Sequence, residues 1–333
     1  MVSHADILAS NALLNDATTP RIAVFAGGTS GIGKLTLRAL VATGASVRIY
    51  LIGRRSSFES ANKFINELHV LNPRATVVWT EGEYSLLAET KRVCEEIKRK
   101  ESRVDLLFLT AGYAPMGSRV ETSEGIEVAQ SLEYYSRVLF ILHLLPLLRA
   151  AEAPRVVSVL SGGLERVSAI NQEDLDLRKP GNFSGIKAQP QYGSMNTVAL
   201  DKLAHDNPDV TFIHSWPGWV STGNVNRGVD PNSLWAWFVW LFLGPLIRLV
   251  SISDSVSGQR NLFQSTSAAY GGRGIPWMGE PGVNTKGEQG NNGLFLVNFR
   301  CNWTPNLKVM ALIRQKTQEK VWGHTQEMVK PYL

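Results

Sequence analysis

A chain of 333 residues with 44% hydrophobic and 19% charged positions has an ordinary globular composition, enough for one large domain or two small ones. The formal charge of +5 is modest and spread out, and no basic stripe interleaved with aromatics is present to read nucleic acid. Cys94 and Cys301 stand alone, without CxxC or metal-ligand spacing, which excludes a cysteine metal site and fits two reduced thiols in the cytosol.

Residues 1–19 read as a leader with a short helix near 5–14. They lack a basic start followed by an apolar core, so they are no secretory signal and a cytoplasmic location is expected. The sequons at Asn182 and Asn302 therefore carry little weight. RIAVFAG (21–27) is a buried strand, and 35–44 has helical spacing closed by glycine. A second strand spans 46–53 and a helix 57–73; a third strand spans 75–83, with a charged helix at 85–101. Strand 104–112 precedes a long helix over 123–149. Strand 155–163, a helix after QPQYGSMN, and strand 210–218 complete the alternation.

Continuously apolar strands alternating with helices predict an α/β fold, a Rossmann-type doubly wound parallel sheet in a single domain. The domain covers 20–270, with a hydrophobic lid at about 219–252 and a C-terminal helical extension over 271–333 that ends in an amphipathic helix at 307–329. The run LWAWFVWLFLGPLI (234–247) is shorter than the about 20 residues a spanning helix needs, and Gly244-Pro245 break it. It predicts a greasy lid or weak membrane-surface contact, not a transmembrane segment.

The first strand runs into GGTSGIG, where Gly27, Gly31 and Gly33 open a helix. With Thr29, Ser30 and Ile32, such a turn brings backbone N–H groups up to a pyrophosphate at the helix N-terminus. After the second strand stand Arg54 and Arg55 where an acidic residue for a ribose 2′-hydroxyl is common. Guanidinium forks suit a 2′-phosphate, so NADP(H) is the expected cofactor.

With these residues the chain resembles a short-chain dehydrogenase/reductase over about 20–270. GGTSGIG matches that family's glycine motif, and LTAG (109–112) matches its N-A-G element with Thr110 in the asparagine slot. SWPGWVST (215–222) resembles its Pro-Gly turn. The resemblance implies cofactor contacts from Ala111, Gly112, Pro217, Gly218 and Val220, and puts the catalytic serine, at the end of RVVSVLSGG, at Ser161. The layout, including DLDL (174–177), is similar to retinol-dehydrogenase-like members. EGEYSLL, EYYSRVLF and VWGHT resemble fungal members of secondary-metabolite pathways.

The family's chemistry uses a tyrosinate whose ordinary pKa near 10 is lowered by a lysine four residues on. Here Tyr192 is followed at that distance by Asn196. A gapless reading of KAQPQYGSMN instead puts Gln189 in the tyrosine slot and Gly193 in the lysine slot. Both registers stay open at this stage, with Tyr192 either proton donor or packing aromatic. Counting along 123–149 lands Glu133 where many members carry an asparagine, and Arg137 is either a substitute cation for the site or a packed residue. Glu83 stands where relatives often have an aspartate near the adenine. His214, ending a strand, reads as a satisfied core or rim residue.

The expected function is an NADP(H)-dependent oxidoreductase, an atypical short-chain dehydrogenase/reductase acting on a carbonyl, alcohol or imine of a bulky hydrophobic small-molecule substrate in secondary metabolism. Ser161, Tyr192 and Arg137 are its candidate catalytic residues. The tryptophans and phenylalanines after residue 218 suit such a substrate, or equally a core, dimer or interfacial role. The alternatives are a non-redox cyclase, isomerase or rearrangement catalyst with a structural cofactor, and a silent nucleotide sensor. The oligomeric state is left open.

Overall fold

The computed structural model describes residues 1–115, 117–220 and 251–333, and is built on a seven-stranded sheet whose pairs are all parallel. The strands are β1 (Ile22–Ala26), β2 (Arg48–Gly53), β3 (Thr76–Glu81), β4 (Leu106–Leu109), β5 (Arg155–Val159), β6 (Thr211–Ser215) and β7 (Leu294–Val297). Their order is β3-β2-β1-β4-β5-β6-β7, so the chain reverses its direction of growth between β1 and β4. Such a switch point leaves a crevice at the strands' carboxyl ends.

Register explains why the strands read as unbroken apolar runs. Val24, Leu107, Val156 and Phe212 align across one face and Phe25, Phe108, Val157 and Ile213 across the other. Each row belongs to a separate apolar cluster, because helices cover both sides. On the first side lie α4 (Leu87–Lys100), α6 (Ser136–Arg149) and α7 (Gly185–Asp206); on the second lie α2 (Gly31–Val41), α3 (Phe58–Leu71) and α8 (Asp254–Thr266). A short helical turn, α5 (Val128–Gln130), and a π-helical turn, Ser131–Tyr135, lead into α6.

The N-terminal segment is part of this body. Helix α1 (His4–Asn11) starts with a Ser3–Asp6 capping box, and Ile7 is buried in the second cluster. Asn11 donates to the Gln259 carbonyl and side chain at 2.9 and 2.7 Å, fastening α1 to α8.

Three elements differ from the sequence reading. The strand Leu294–Val297 was not anticipated; it lies in the stretch read as extension and pairs with β6. The helix expected over 307–329 is two, α9 (Leu307–Lys316) and α10 (Gln318–Val329), separated at Thr317. Helix α7 begins at Gly185 and runs for 22 residues straight through Pro190 and Gly193, which the sequence reading took as preceding the helix. Proline near a helix start loses only one bond, to a carbonyl of the first turns. That acceptor belongs to Ile186, which is 90% exposed and can be hydrated.

No described helix is long and apolar enough to cross a membrane. Residues 221–250, which contain most of the expected lid and the whole apolar run at 234–247, lie outside the described residues. The chain on either side of them is joined by a bridge between Val220 and Ile252.

Candidate active site

At the carboxyl ends of β1, β4, β5 and β6 opens a cavity of about 960 Å³. One end is the turn after β1. Gly27 has φ +104, and its carbonyl accepts from the Thr110 hydroxyl at 3.0 Å. A Cβ on Gly33 would come within 2.4 Å of the Gly27 carbonyl oxygen, so glycine alone lets α2 start this close to the strand. Gly27, Thr29, Ser30, Gly31 and Ile32 line the cavity. The N–H groups of the first turn of α2 have no intrahelical acceptor, and they face it with the helix's partial positive charge.

Arg54, just beyond β2, also lines the cavity, whereas Arg55 is exposed and does not reach its wall. The segment contributes no carboxylate at this point. Glu83 does line the cavity, and its carboxylate accepts from the Ser85 hydroxyl at 2.8 Å. Ala111, Gly112, Pro217, Gly218 and Val220 form further wall, and Gly33 sits behind it. These residues fit a dinucleotide: a glycine turn that any side chain would fill, free helix N–H groups, and one cation where a ribose phosphate would lie.

The other end is built from the π-helical turn, α6 and α7. Along α7, residues 189, 193 and 196–197 share one face, by helical spacing. Gln189 is on the cavity wall and donates to Glu133 Oε2 at 2.8 Å. Gly193 follows one turn later, and a Cβ there would fall 1.9 Å from Ser161 Oγ. A side chain at 193 would therefore require the Ser161 hydroxyl to turn away. Asn196 donates to the Glu133 carbonyl at 2.7 Å and accepts from Ser158 at 3.1 Å.

Tyr192 points elsewhere. Its side chain is fully buried against Ala129, Leu177 and Ala188, and its hydroxyl donates to Glu127 Oε2 at 3.0 Å. Burial first, and the Glu127 carboxylate second, push its pKa far above the usual tyrosine value. Gln189, and not Tyr192, lines the cavity, so a proton donor at Tyr192 does not fit this geometry. Tyr192→Phe is expected to leave turnover within about threefold of the parent. It should lower stability by about 1–3 kcal/mol through the lost bond to a buried carboxylate, read from urea midpoints beside initial rates.

Ser161 lies one residue beyond the wall residue Leu160. Its N–H donates to His214 Nε2 at 3.2 Å. His214 must then carry its proton on Nδ1, donating to Thr197 at 2.7 Å, and burial lowers its pKa to about 3. It is a neutral, satisfied core residue. Arg137 does reach the wall, but four of its five N–H donors are committed. They go to the Ala111, Val159 and Leu132 carbonyls and the Ser158 hydroxyl, at 2.6, 3.0, 3.3 and 2.8 Å. The guanidinium clamps the ends of β4 and β5 to α6. Burial lowers its pKa to about 10, which leaves it cationic at neutral pH.

The group with acid–base character at this end is Glu133, which the spacing had located without a chemical role. It lies on the cavity wall yet is only 2% exposed. Burial raises its pKa to about 8, opposed by Arg137 and by the bond from Gln189. Tyr113, half-buried on the same wall, is pushed up to about 12 by burial and the neighbouring Glu127 and Glu133 carboxylates. Both thiols are buried, with pKa values raised by that burial, so neither is poised as a nucleophile.

Known proteins agree with this frame. The short chain dehydrogenase family model matches residues 21–169. The oxidoreductase AN1596 of Emericella nidulans is 37% identical, covering 99% of this chain and 98% of that protein. The NmrA-like family domain-containing oxidoreductase notO of an Aspergillus species is 33% identical over 98% and 94%. The short-chain dehydrogenase/reductase SAT2 of Stachybotrys chartarum is 27% identical over 91% and 90%. Among solved structures, an uncharacterized protein from Mycobacterium paratuberculosis superposes with a TM-score of 0.59 at 18% identity, covering 96% of this chain and 97% of that one. An NADPH-dependent 3-quinuclidinone reductase from Rhodotorula rubra gives 0.54 at 15%, over 77% and 87%. These two show the shared fold. With a relative this similar over nearly its whole length, the chain belongs to the short-chain dehydrogenase/reductase superfamily.

Proposed function

We propose that the protein is an NADP(H)-dependent oxidoreductase acting on the carbonyl, alcohol or imine of a bulky hydrophobic metabolite, in the cytoplasm and in secondary metabolism. The observation that carries the cofactor choice is Arg54 on the cavity wall beside the glycine turn, with no carboxylate beyond β2 to receive a ribose 2′-hydroxyl. A guanidinium there favours a 2′-phosphate. When bound, the nicotinamide supplies or accepts a hydride. The chain's own residues hold it, close the space around the substrate and manage the proton. Tyr113, Leu132, Leu160, Trp216 and Trp219 give the cavity's far wall an apolar, aromatic character suited to a large hydrophobic substrate.

The NADPH dependence of the Rhodotorula reductase supports the same cofactor, by analogy of fold alone. Arg54→Ser is expected to weaken NADPH binding by roughly ten- to a hundredfold while changing NADH binding by less than about threefold, measured by fluorescence titration. Equal losses for both nucleotides would sink the 2′-phosphate reading.

A second reading, non-redox catalysis of cyclisation, isomerisation or rearrangement on the same scaffold, is favoured by Gln189 lining the cavity while Tyr192 is turned onto Glu127, as in the reading that puts Gln189 and Gly193 in the tyrosine and lysine slots. The two readings separate in one assay. Dihydronicotinamide absorbance is followed with bulky ketones, enones and imines, beside product analysis with oxidised nucleotide or none. Consumption of NADPH in step with product supports the redox reading, and unchanged product formation without reduced cofactor supports the other.

A further inference from the structure

We propose that Glu133 is the catalytic acid–base residue of this protein, exchanging a proton with the substrate heteroatom at the place where the redox chemistry of the preceding reading occurs. The proposal rests on that reading for the hydride.

Three structural facts converge on this side chain. It is placed by a π-helical turn, whose wider bore turns both Leu132 and Glu133 toward the cavity. Room for the carboxyl is made by Gly112 at the end of β4, where a Cβ would come 2.6 Å from Oε1. The side chain is aimed by Gln189, whose amide binds Oε2 at 2.8 Å and is itself held by the Tyr113 carbonyl at 3.3 Å. Oε2 accepts from Gln189 and the Tyr113 N–H also bonds the carboxyl, so the group is held in one orientation on the cavity wall.

The surroundings poise the group. Arg137 stands one helical turn on, Glu127 approaches from the start of α5, and Tyr113 comes from the loop after β4. From α7 the contacts are the neutral Gln189 and Asn196. The balance leaves the carboxyl protonated up to about pH 8, a donor stronger than a free tyrosine. Tyr192 cannot compete, since its hydroxyl is spent on Glu127.

For a carbonyl substrate the reduction balances simply. The carbon takes a hydride from a reduced nicotinamide, and the C=O π pair becomes the new O–H bond to the proton released by Glu133. An alcohol, the oxidised nucleotide and a Glu133 carboxylate result, and solvent returns the proton. The guanidinium of Arg137 nearby favours the oxygen's developing negative charge.

The test uses the full-length protein with Glu133→Gln and Glu133→Ala variants and a Tyr192→Phe control. Difference infrared spectroscopy of the nucleotide-free protein is expected to show one carboxyl titrating near pH 8, absent from E133Q. Since this folded-state pKa is raised from 4.5, the folded protein holds the extra proton across that window, and stability linked to Glu133 falls as pH rises through it. The melting temperature of E133Q should therefore gain on that of the parent between pH 5 and 9, a trend a purely structural hydrogen bond would not produce.

In turnover, E133Q should lose at least about a hundredfold in kcat with NADPH affinity unchanged, and formate should partly restore E133A. The parent's kcat for reduction should fall above about pH 8. Overturning results are a carboxyl that titrates in the ordinary range, an E133Q enzyme keeping more than a tenth of its kcat, or loss of activity in Y192F instead. Failure to bind NADPH at all would overturn the oxidoreductase reading and this proposal with it. NADPH binding with an active E133Q would overturn this proposal alone.

Discussion

Gly33→Val is expected to abolish nucleotide binding, lowering NADPH affinity by more than about a hundredfold, because its Cβ alone would meet the Gly27 carbonyl oxygen at 2.4 Å and the Thr110 hydroxyl at 2.8 Å. Both contacts are inside van der Waals range, and one is backbone, so α2 has to retreat from β1. Its first-turn N–H groups and its positive end retreat with it. The strain of overpacking costs about 1–3 kcal/mol, which the apolar packing of α2 against α8 should survive. Circular dichroism and a urea midpoint check that the variant is folded before the titration is read. Gly44→Ala is the matched control. Its φ is +75, and nothing lies within 4 Å of its Cβ. It should lose about 1 kcal/mol of stability and bind NADPH normally. Wild-type affinity in Gly33→Val would show that the turn does not cradle the nucleotide.

Arg155→Met is the variant expected to harm folding most. Arg155 is 2% exposed, and among the described residues its hydrogen-bond partners are carbonyls rather than carboxylates. Its two terminal nitrogens donate to the carbonyls of Gln264, Ser267, Tyr270 and Arg273 at 3.0, 2.7, 2.9 and 2.9 Å. One side chain at the start of β5 therefore closes the end of α8 and the loop that follows it. Burial lowers its pKa to about 10, so it remains charged at neutral pH, facing carbonyl dipoles. Methionine matches the length and none of the donors. Leaving these carbonyls buried and unpaired costs at least about 4 kcal/mol, enough to take a domain of ordinary stability close to unfolding. Arg155→Lys should recover only part of this, since an ammonium lacks the planar fork. A urea midpoint within experimental error of the parent's would show that water replaces the guanidinium at no loss.

Much of this was legible from short-range pattern. Continuously apolar strands such as IAVFA and RVVSV announced a sheet covered on both faces, because burial on both sides leaves no polar alternation to preserve. The glycine turn and Arg54 were legible for the same reason, since a β–turn–α junction has its whole geometry within a few residues. Strand β7 was missed because four residues, LFLV, carry too little signal; pairing with β6 makes them a strand. The start of α7 was misread because Gly185, Pro190 and Gly193 act as breakers in isolation. Inside the fold, Gly193 lets the Ser161 hydroxyl lie close against the helix.

The chemical end shows the division most clearly. Spacing alone located Glu133 and offered two registers for Tyr192, but helical phase could not say which face of α7 met the cavity. Packing decided it, turning Gln189 inward and Tyr192 onto Glu127. The protonation of Glu133 likewise depends on Gly112, Arg137 and Gln189, which come from three separate elements. By itself, the sequence determined the sheet, the glycine turn and the cation beside it, all properties of neighbouring residues. Only the tertiary structure decided which group carries a proton, because desolvation is set by what the rest of the chain packs around a carboxyl.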